Sequence, residues 1–168
     1  PIYIVTINVY PNPTASITGD NEICAGENTI FTANGGSTYL WNTLETNASI
    51  TVDVALEYIV TVTDLNGCIA TASRTLTVNP LPTASITGDN EICVGESTIF
   101  TANGGSTYLW NTTETSSDIT VSVAREYIVT FTDVNGCTAT ASRTLTVTPL
   151  PNAGADVSVT CYETGVAV

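Results

Sequence analysis

Pro13-Thr14-Ala15-Ser16-Ile17-Thr18-Gly19-Asp20-Asn21-Glu22-Ile23-Cys24 occurs a second time as Pro82-Thr83-Ala84-Ser85-Ile86-Thr87-Gly88-Asp89-Asn90-Glu91-Ile92-Cys93. The register then holds to the end of each copy. Phe31 matches Phe100, Trp41 matches Trp110, Tyr58 matches Tyr127 and Cys68 matches Cys137. Roughly four residues in five are identical between the copies, the mark of a repeat architecture. A chemical active site is a singular constellation, so close duplication points to an array of equivalent modules.

Within each copy, apolar residues alternate with polar ones over short stretches. Ala15/Ile17, Thr29/Phe31/Ala33, Tyr39/Trp41, Ile50/Val52/Val54 and Tyr58/Val60/Val62 give five strands with one apolar face each, and Cys68 to Val78 gives a further one. Asn66-Gly67 and Asn34-Gly35-Gly36 supply the positive φ that tight turns need. No stretch reads as a helix. Short strands with a Trp in the third and a Tyr opening the penultimate one predict an all-β fold of tandem immunoglobulin-like sandwiches joined by short Pro-containing linkers. The expected organisation is residues 1–12 as the last strand of a preceding module plus linker, 13–79 as repeat 1, 80–148 as repeat 2, and 149–168 as a linker and the start of a third, divergent repeat. The joints Asn79-Pro80-Leu81-Pro82 and Thr148-Pro149-Leu150-Pro151 favour extended, stiff backbone.

The charge balance excludes several roles. Sixteen acidic residues stand against three basic ones, with no His, for a net charge of −13. Such a chain repels phosphate backbones and anionic lipid, so neither nucleic-acid binding nor membrane insertion is expected. No stretch approaches a membrane span, and no signal core is visible, so targeting signals for export would lie outside this chain. Catalysis has no support either: there is no His for a triad, no Lys, no phosphate-cradling Gly-rich loop and no nucleophile elbow. The reading is not an enzyme. Trp41, Trp110, Tyr39 and Tyr108 are expected in the core, and Tyr58 and Tyr127 as corner tyrosines.

The run Ile23-Cys24-Ala25-Gly26-Glu27, then Tyr39-Leu40-Trp41-Asn42-Thr43, Glu57 to Asp64 and Asn66-Gly67-Cys68, resembles the PKD-like and Ig-like repeats of giant Bacteroidetes surface proteins, including gliding-motility adhesins exported by type IX secretion. That resemblance implies an extracellular stalk, spacer or adhesive element. It also implies pairing of Cys24 with Cys68 and of Cys93 with Cys137, leaving Cys161 unpaired in this chain. A loop closed at that size stabilises a small module by roughly 4 kcal/mol. Sandwich strand order places Cys24 and Cys68 at opposite poles, which favours instead a staple between modules such as Cys24 to Cys137. Both pairings stand open at this point.

Asp20, Glu22 and Asp64, with Asp89, Glu91 and Asp133 in the second copy, put hard oxygen ligands near module ends, where calcium stiffens other repeat arrays. No calcium-loop spacing accompanies them, and turn-forming carboxylates that bond their own backbone are the favoured reading, so no cofactor is expected. The copies differ at Leu44/Thr113, Asn47/Ser116, Ala48/Ser117, Ser49/Asp118, Asp53/Ser122 and Leu56/Arg125, around the connection after the Trp strand, which marks those positions as solvent-facing. The expected function is a structural stalk or fibre segment whose partners are neighbouring repeats. The alternatives are an adhesive glycan- or surface-binding module working through that connection, or a self-associating filament subunit in which strand 2–10 completes the module begun at Asn152 in a neighbour.

Overall fold

The structure, a computed structural model, describes residues 7–150. The chain divides into two compact units, Pro1–Pro80 and Leu81–Val168. The first contains β1 (Ser16–Thr18), β2 (Glu22–Cys24), β3 (Thr29–Asn34), β4 (Thr38–Trp41), β5 (Ser49–Val52), β6 (Glu57–Thr63), β7 (Ile69–Thr75) and β8 (Thr77–Asn79). The second contains β9 (Ser85–Thr87), β10 (Glu91–Cys93), β11 (Thr98–Asn103), β12 (Thr107–Trp110), β13 (Asp118–Val121), β14 (Arg125–Thr132) and β15 (Thr138–Thr148). No helix occurs among the described residues, and none is long and apolar enough to cross a membrane.

Each unit is an immunoglobulin-like all-β sandwich. One sheet has the order β1-β3-β5 in the first unit and β9-β11-β13 in the second. The facing layer is β4-β6-β7, with β2 beside β8, in the first unit, and β12-β14-β15-β10 in the second. The alternation that sequence shows is the alternation that burial follows. Tyr58, Val60 and Val62 point inward from β6, while Glu57, Ile59 and Thr61 do not. Phe31 and Val60 are fully enclosed, and Trp41 is 1 % exposed at the centre of the first core. Phe100, Trp110 and Val129 repeat that arrangement in the second. Phe31 meets Tyr58 edge-on at 5.5 Å, and Phe100 meets Tyr127 at 5.4 Å, the T-shaped geometry that aromatic quadrupoles favour.

One element escapes the alternation signal. The entering strand is broken at Gly19, and its second half, β2, leaves β3 to pair parallel with β8: Glu22↔Thr77, Ile23↔Val78, Cys24↔Asn79. Gly19 has φ +130°, and a Cβ there would lie 2.2 Å from the Ile30 carbonyl oxygen. Only glycine lets the chain cross from one sheet to the other at this point. In the second unit Gly88 does the same, and β10 pairs parallel with β15. The Arg143 guanidinium, 5.7 Å from the Phe100 ring centroid, donates to the carbonyls of Ile86 and Gly88 and ties the leaving strand to this crossing.

The strand expected over residues 1–10 lies partly outside the described residues, and residues 7–12 form no strand. The third repeat expected from 149 onward lies almost wholly outside them.

Gly19→Ala is expected to destabilise the first unit by about 3 kcal/mol through backbone clash and strain. Gly26→Ala, where a Cβ would meet nothing within 4 Å, is expected to cost about 1 kcal/mol through its positive φ alone. Denaturant unfolding followed by Trp41 fluorescence in a Trp110→Phe background measures both.

Candidate functional site

The chemistry of this chain is concentrated at the two ends of each module, where the cysteines sit. At one end, Cys24 closes β2 and enters a turn of the form Cys-x-Gly-Glu. Glu27 N–H donates to the Cys24 carbonyl at 3.0 Å, and Gly26 takes φ +91°. That is a turn whose third position needs the left-handed region. The Glu27 carboxylate returns the contact by accepting the Cys24 N–H at 3.1 Å. Ala25 N–H then extends the parallel ladder to the Asn79 carbonyl at 2.8 Å. Cys93, Glu96 and Gly95 repeat the turn, with Cys93 N–H to Glu96 at 2.9 Å. The motif is thus a device that holds a cysteine against the residues leaving the module.

At the other end, Cys68 closes the turn between β6 and β7. The Asp64 carboxylate accepts the N–H groups of Asn66 and Cys68, both at 2.8 Å, and Asp64 N–H donates to the Cys68 carbonyl at 3.0 Å. Asp133 holds Asn135 and Cys137 in the same way, at 2.9 and 2.8 Å. One oxygen each of Asp64 and Asp133 thus accepts two backbone donors within its own turn. Asp20, Glu22, Asp89 and Glu91 are exposed at the opposite end of their modules, a hairpin's length from Asp64 and Asp133. Among the described residues no three Asp, Glu or Cys side chains gather into a metal-holding group.

The cysteine pairing implied by resemblance is corrected by this geometry. Cys24 is disulfide-bonded, whereas Cys68 is a free thiol, so a Cys24–Cys68 bond is not formed. The reason is distance along the leaving strand. Cys24 lies beside Asn79, and Cys68 precedes Ile69, so some 11 residues, roughly 35 Å of extended chain, separate them. A disulfide needs Cα atoms within about 7 Å. The same holds in the second unit, where Cys93 lies beside Thr148 and Cys137 precedes Thr138 at the far end of β15. Cys93 and Cys137 are each disulfide-bonded. Cys161, expected to be the odd cysteine, lies outside the described residues.

The connection after the Trp strand is organised by Trp41 rather than by its own side chains. The indole Nε1 donates to the Asn47 carbonyl at 2.9 Å, and the Trp41 backbone pairs with Glu45 and Leu44. Trp110 reaches the Ser116 carbonyl at the same distance. Because the acceptors are backbone oxygens, Asn47/Ser116 and its neighbours exchange freely. All six positions that differ there are exposed in the first unit. Asn42 and Asn111, to which the sequence assigned no bridging role, are clamps. Asn42 Nδ2 donates to the Glu57 carbonyl at 2.9 Å and its Oδ1 accepts Ile59 N–H at 3.0 Å, binding β4 to β6 beyond the last ladder pair. Asn111 does the same with Glu126 and Ile128. Their only sequence signal is the Trp-Asn dipeptide kept in both copies. The turn that follows places Leu44 at φ 75° and Thr113 at φ 77°.

Tyr58 is the expected corner tyrosine. Its hydroxyl donates to the Val54 carbonyl at 3.1 Å, and Tyr127 donates to Val123 at 3.1 Å. Burial pushes the Tyr58 phenol above the usual range, and the Asp53 and Glu45 carboxylates add to the rise.

No family model and no curated protein matches the chain. Among solved structures it is similar to three N-terminal domains of the bacteriophage RB49 highly immunogenic outer capsid protein, at 20% identity and TM-score 0.46, over 80% of this chain and 59% of that one. It is similar to murine CEACAM1b at 12% identity and TM-score 0.41, over 80% of this chain and all of that one. A 1.5-MDa bacterial ice-binding adhesin gives 16% identity and TM-score 0.38, over 82% of this chain and 65% of that one.

Two substitutions test these contacts. Tyr58→Phe is expected to cost about 1 kcal/mol, the net worth of one hydrogen bond. The folded module holds the phenol proton more tightly than the unfolded chain does. Its contribution is therefore intact below about pH 10 and is lost as pH rises above that, a loss that Tyr58→Phe removes from the alkaline limb of the stability profile. Thr113→Gly, which relieves a β-branched residue in the left-handed region, is expected to stabilise the second unit by about 1 kcal/mol in denaturant titrations.

Proposed function

We propose that this chain is a load-bearing spacer segment of a secreted bacterial cell-surface protein, holding a distal element away from the cell. The observation that carries the reading is the parallel pairing of the entering half-strand with the leaving strand, β2 with β8 and β10 with β15. When a module is pulled at its two ends, strands paired in this sense slide along one another. All their hydrogen bonds are loaded together, rather than opened one by one as in a peeled hairpin. Resistance to such a pull is set by the unfolding rate, which this arrangement lowers.

Oxidised structural cysteines favour an extracellular setting. The repeat's resemblance to giant Bacteroidetes surface proteins supports a tandem array of the gliding-motility adhesin type, with type IX export. The adhesive alternative draws less support, because the connection over 42–56 exposes Leu44, Val54 and Leu56 but no aromatic ring. Assembly by strand complementation would use residues 2–10, of which 7–10 form no strand, and the module begun at Asn152, which lies outside the described residues.

Single-molecule stretching of the tandem chain tests the proposal. Thr77 N–H donates to the Asn21 carbonyl at 2.8 Å within the parallel ladder, and Thr77→Pro deletes that donor. One of the two unfolding peaks should fall in force while the other stays. Equal forces before and after would mean that the ladder bears no load, and the spacer reading would lose its support.

A further inference from the structure

We propose that Cys68 is a coupling thiol, a site at one end of the first module that forms a disulfide with the Ile-Cys-x-Gly-Glu cysteine of another module of the same kind. The inference rests on the spacer reading only in requiring that another module abut this end.

Each module carries one cysteine of each type, and the two are too far apart to meet. The Cys-x-Gly-Glu cysteine lies against the residues that leave the module, and the Asn-Gly-Cys cysteine lies at the end where the chain enters. Three of the four described cysteines are nonetheless disulfide-bonded: Cys24 and Cys93 of the first type and Cys137 of the second. Cys24 is therefore not bonded to Cys68 of its own module. Cys137 provides an internal comparison for Cys68. Both occupy the same turn, each with its N–H 2.8 Å from an aspartate oxygen. Cys137 is bonded and fully buried, whereas Cys68 is free and half-buried. The Cys68 sulfur lies 3.9 Å from the Tyr10 carbonyl, on the segment that leads into the module. The thiol thus faces the side from which a preceding module would arrive, held in a turn already built for a disulfide.

The bond needs an oxidant, and oxidised glutathione or a protein disulfide of the same class serves. A thiolate attacks the oxidant's S–S bond and forms a mixed disulfide, and the second cysteine displaces the remaining sulfur. Two protein thiols lose two protons and two electrons as one S–S bond forms. One oxidant S–S bond breaks and takes them up as two thiols.

The test replaces residues 1–12 with one further copy of residues 13–81 and oxidises the product in glutathione buffer. Free thiols are then alkylated without reduction, and the bonded peptides are mapped by mass spectrometry. In the 168-residue chain Cys68 is expected to be alkylated. In the extended chain that labelling should be lost, and a new cross-linked peptide should join Cys68 to the added copy's Ile-Cys-Ala-Gly-Glu cysteine. Cys24→Ser in the added copy alone should restore the labelling. Persistent alkylation of Cys68 in an extended chain whose added module unfolds cooperatively would overturn the proposal. So would a bond from Cys68 to Cys24 of its own module, or to glutathione alone. The map reads connectivity and not strength, so it can succeed where the Thr77→Pro stretching experiment fails, and fail where that experiment succeeds.

Discussion

The crossing of the entering strand at Gly19, and again at Gly88, is the constraint on which the rest of each module depends. A side chain there would collide with the Ile30 or Ile99 carbonyl, and the strand would continue along β3 or β11 instead of leaving it. Because it leaves, the edge of the second sheet is covered by β2 or β10, which protects an otherwise open row of backbone groups. The Cys-x-Gly-Glu turn is carried to the end of the leaving strand, and the two cysteines of a module are driven to opposite ends. Parallel pairing, edge protection and cysteine placement are three results of one backbone conformation.

Much of this was legible in the residues. Alternation located the long strands, because a sandwich with one face buried enforces a period of two, and Phe31, Trp41, Tyr58 and Val60 lie where that period puts them. Duplication fixed the module length. What stayed hidden was β2. Glu-Ile-Cys is three residues long, too short to show a period, and its partner β8 is distant in sequence. The clamps of Asn42 and Asn111 were hidden for a related reason: an asparagine reads as a turn residue until the strand it bridges to is known.

The cysteines show how two lines of sequence reasoning can diverge. Resemblance implied bonds within each module, because the resembling repeats carry both cysteines even when isolated. Strand order implied opposite poles, and that was the sounder guide, since a covalent bond answers to distance rather than to co-occurrence. The acidic residues divided in the same physical way. Asp64 and Asp133 each turn one carboxylate oxygen onto their own turn, where it accepts two backbone N–H groups.

Near-identical neighbours on one polypeptide carry a hazard of their own during folding. β1 pairs with β3 as Ser16↔Asn34, and β9 pairs with β11 as Ser85↔Asn103, in equivalent registers, so a strand of one copy fits the ladder of the other. Backbone pairing alone cannot tell native from exchanged. The core difference Val62/Phe131 can. Phe131 packs edge-on with Tyr108 at 5.6 Å and is fully enclosed, and the smaller Val62 is fully enclosed at the equivalent place. Exchanging β6 and β14 would force a benzyl group into the smaller site and leave a void in the larger one, each costing about 1–3 kcal/mol. One enlarged side chain gives two look-alike modules a sorting code.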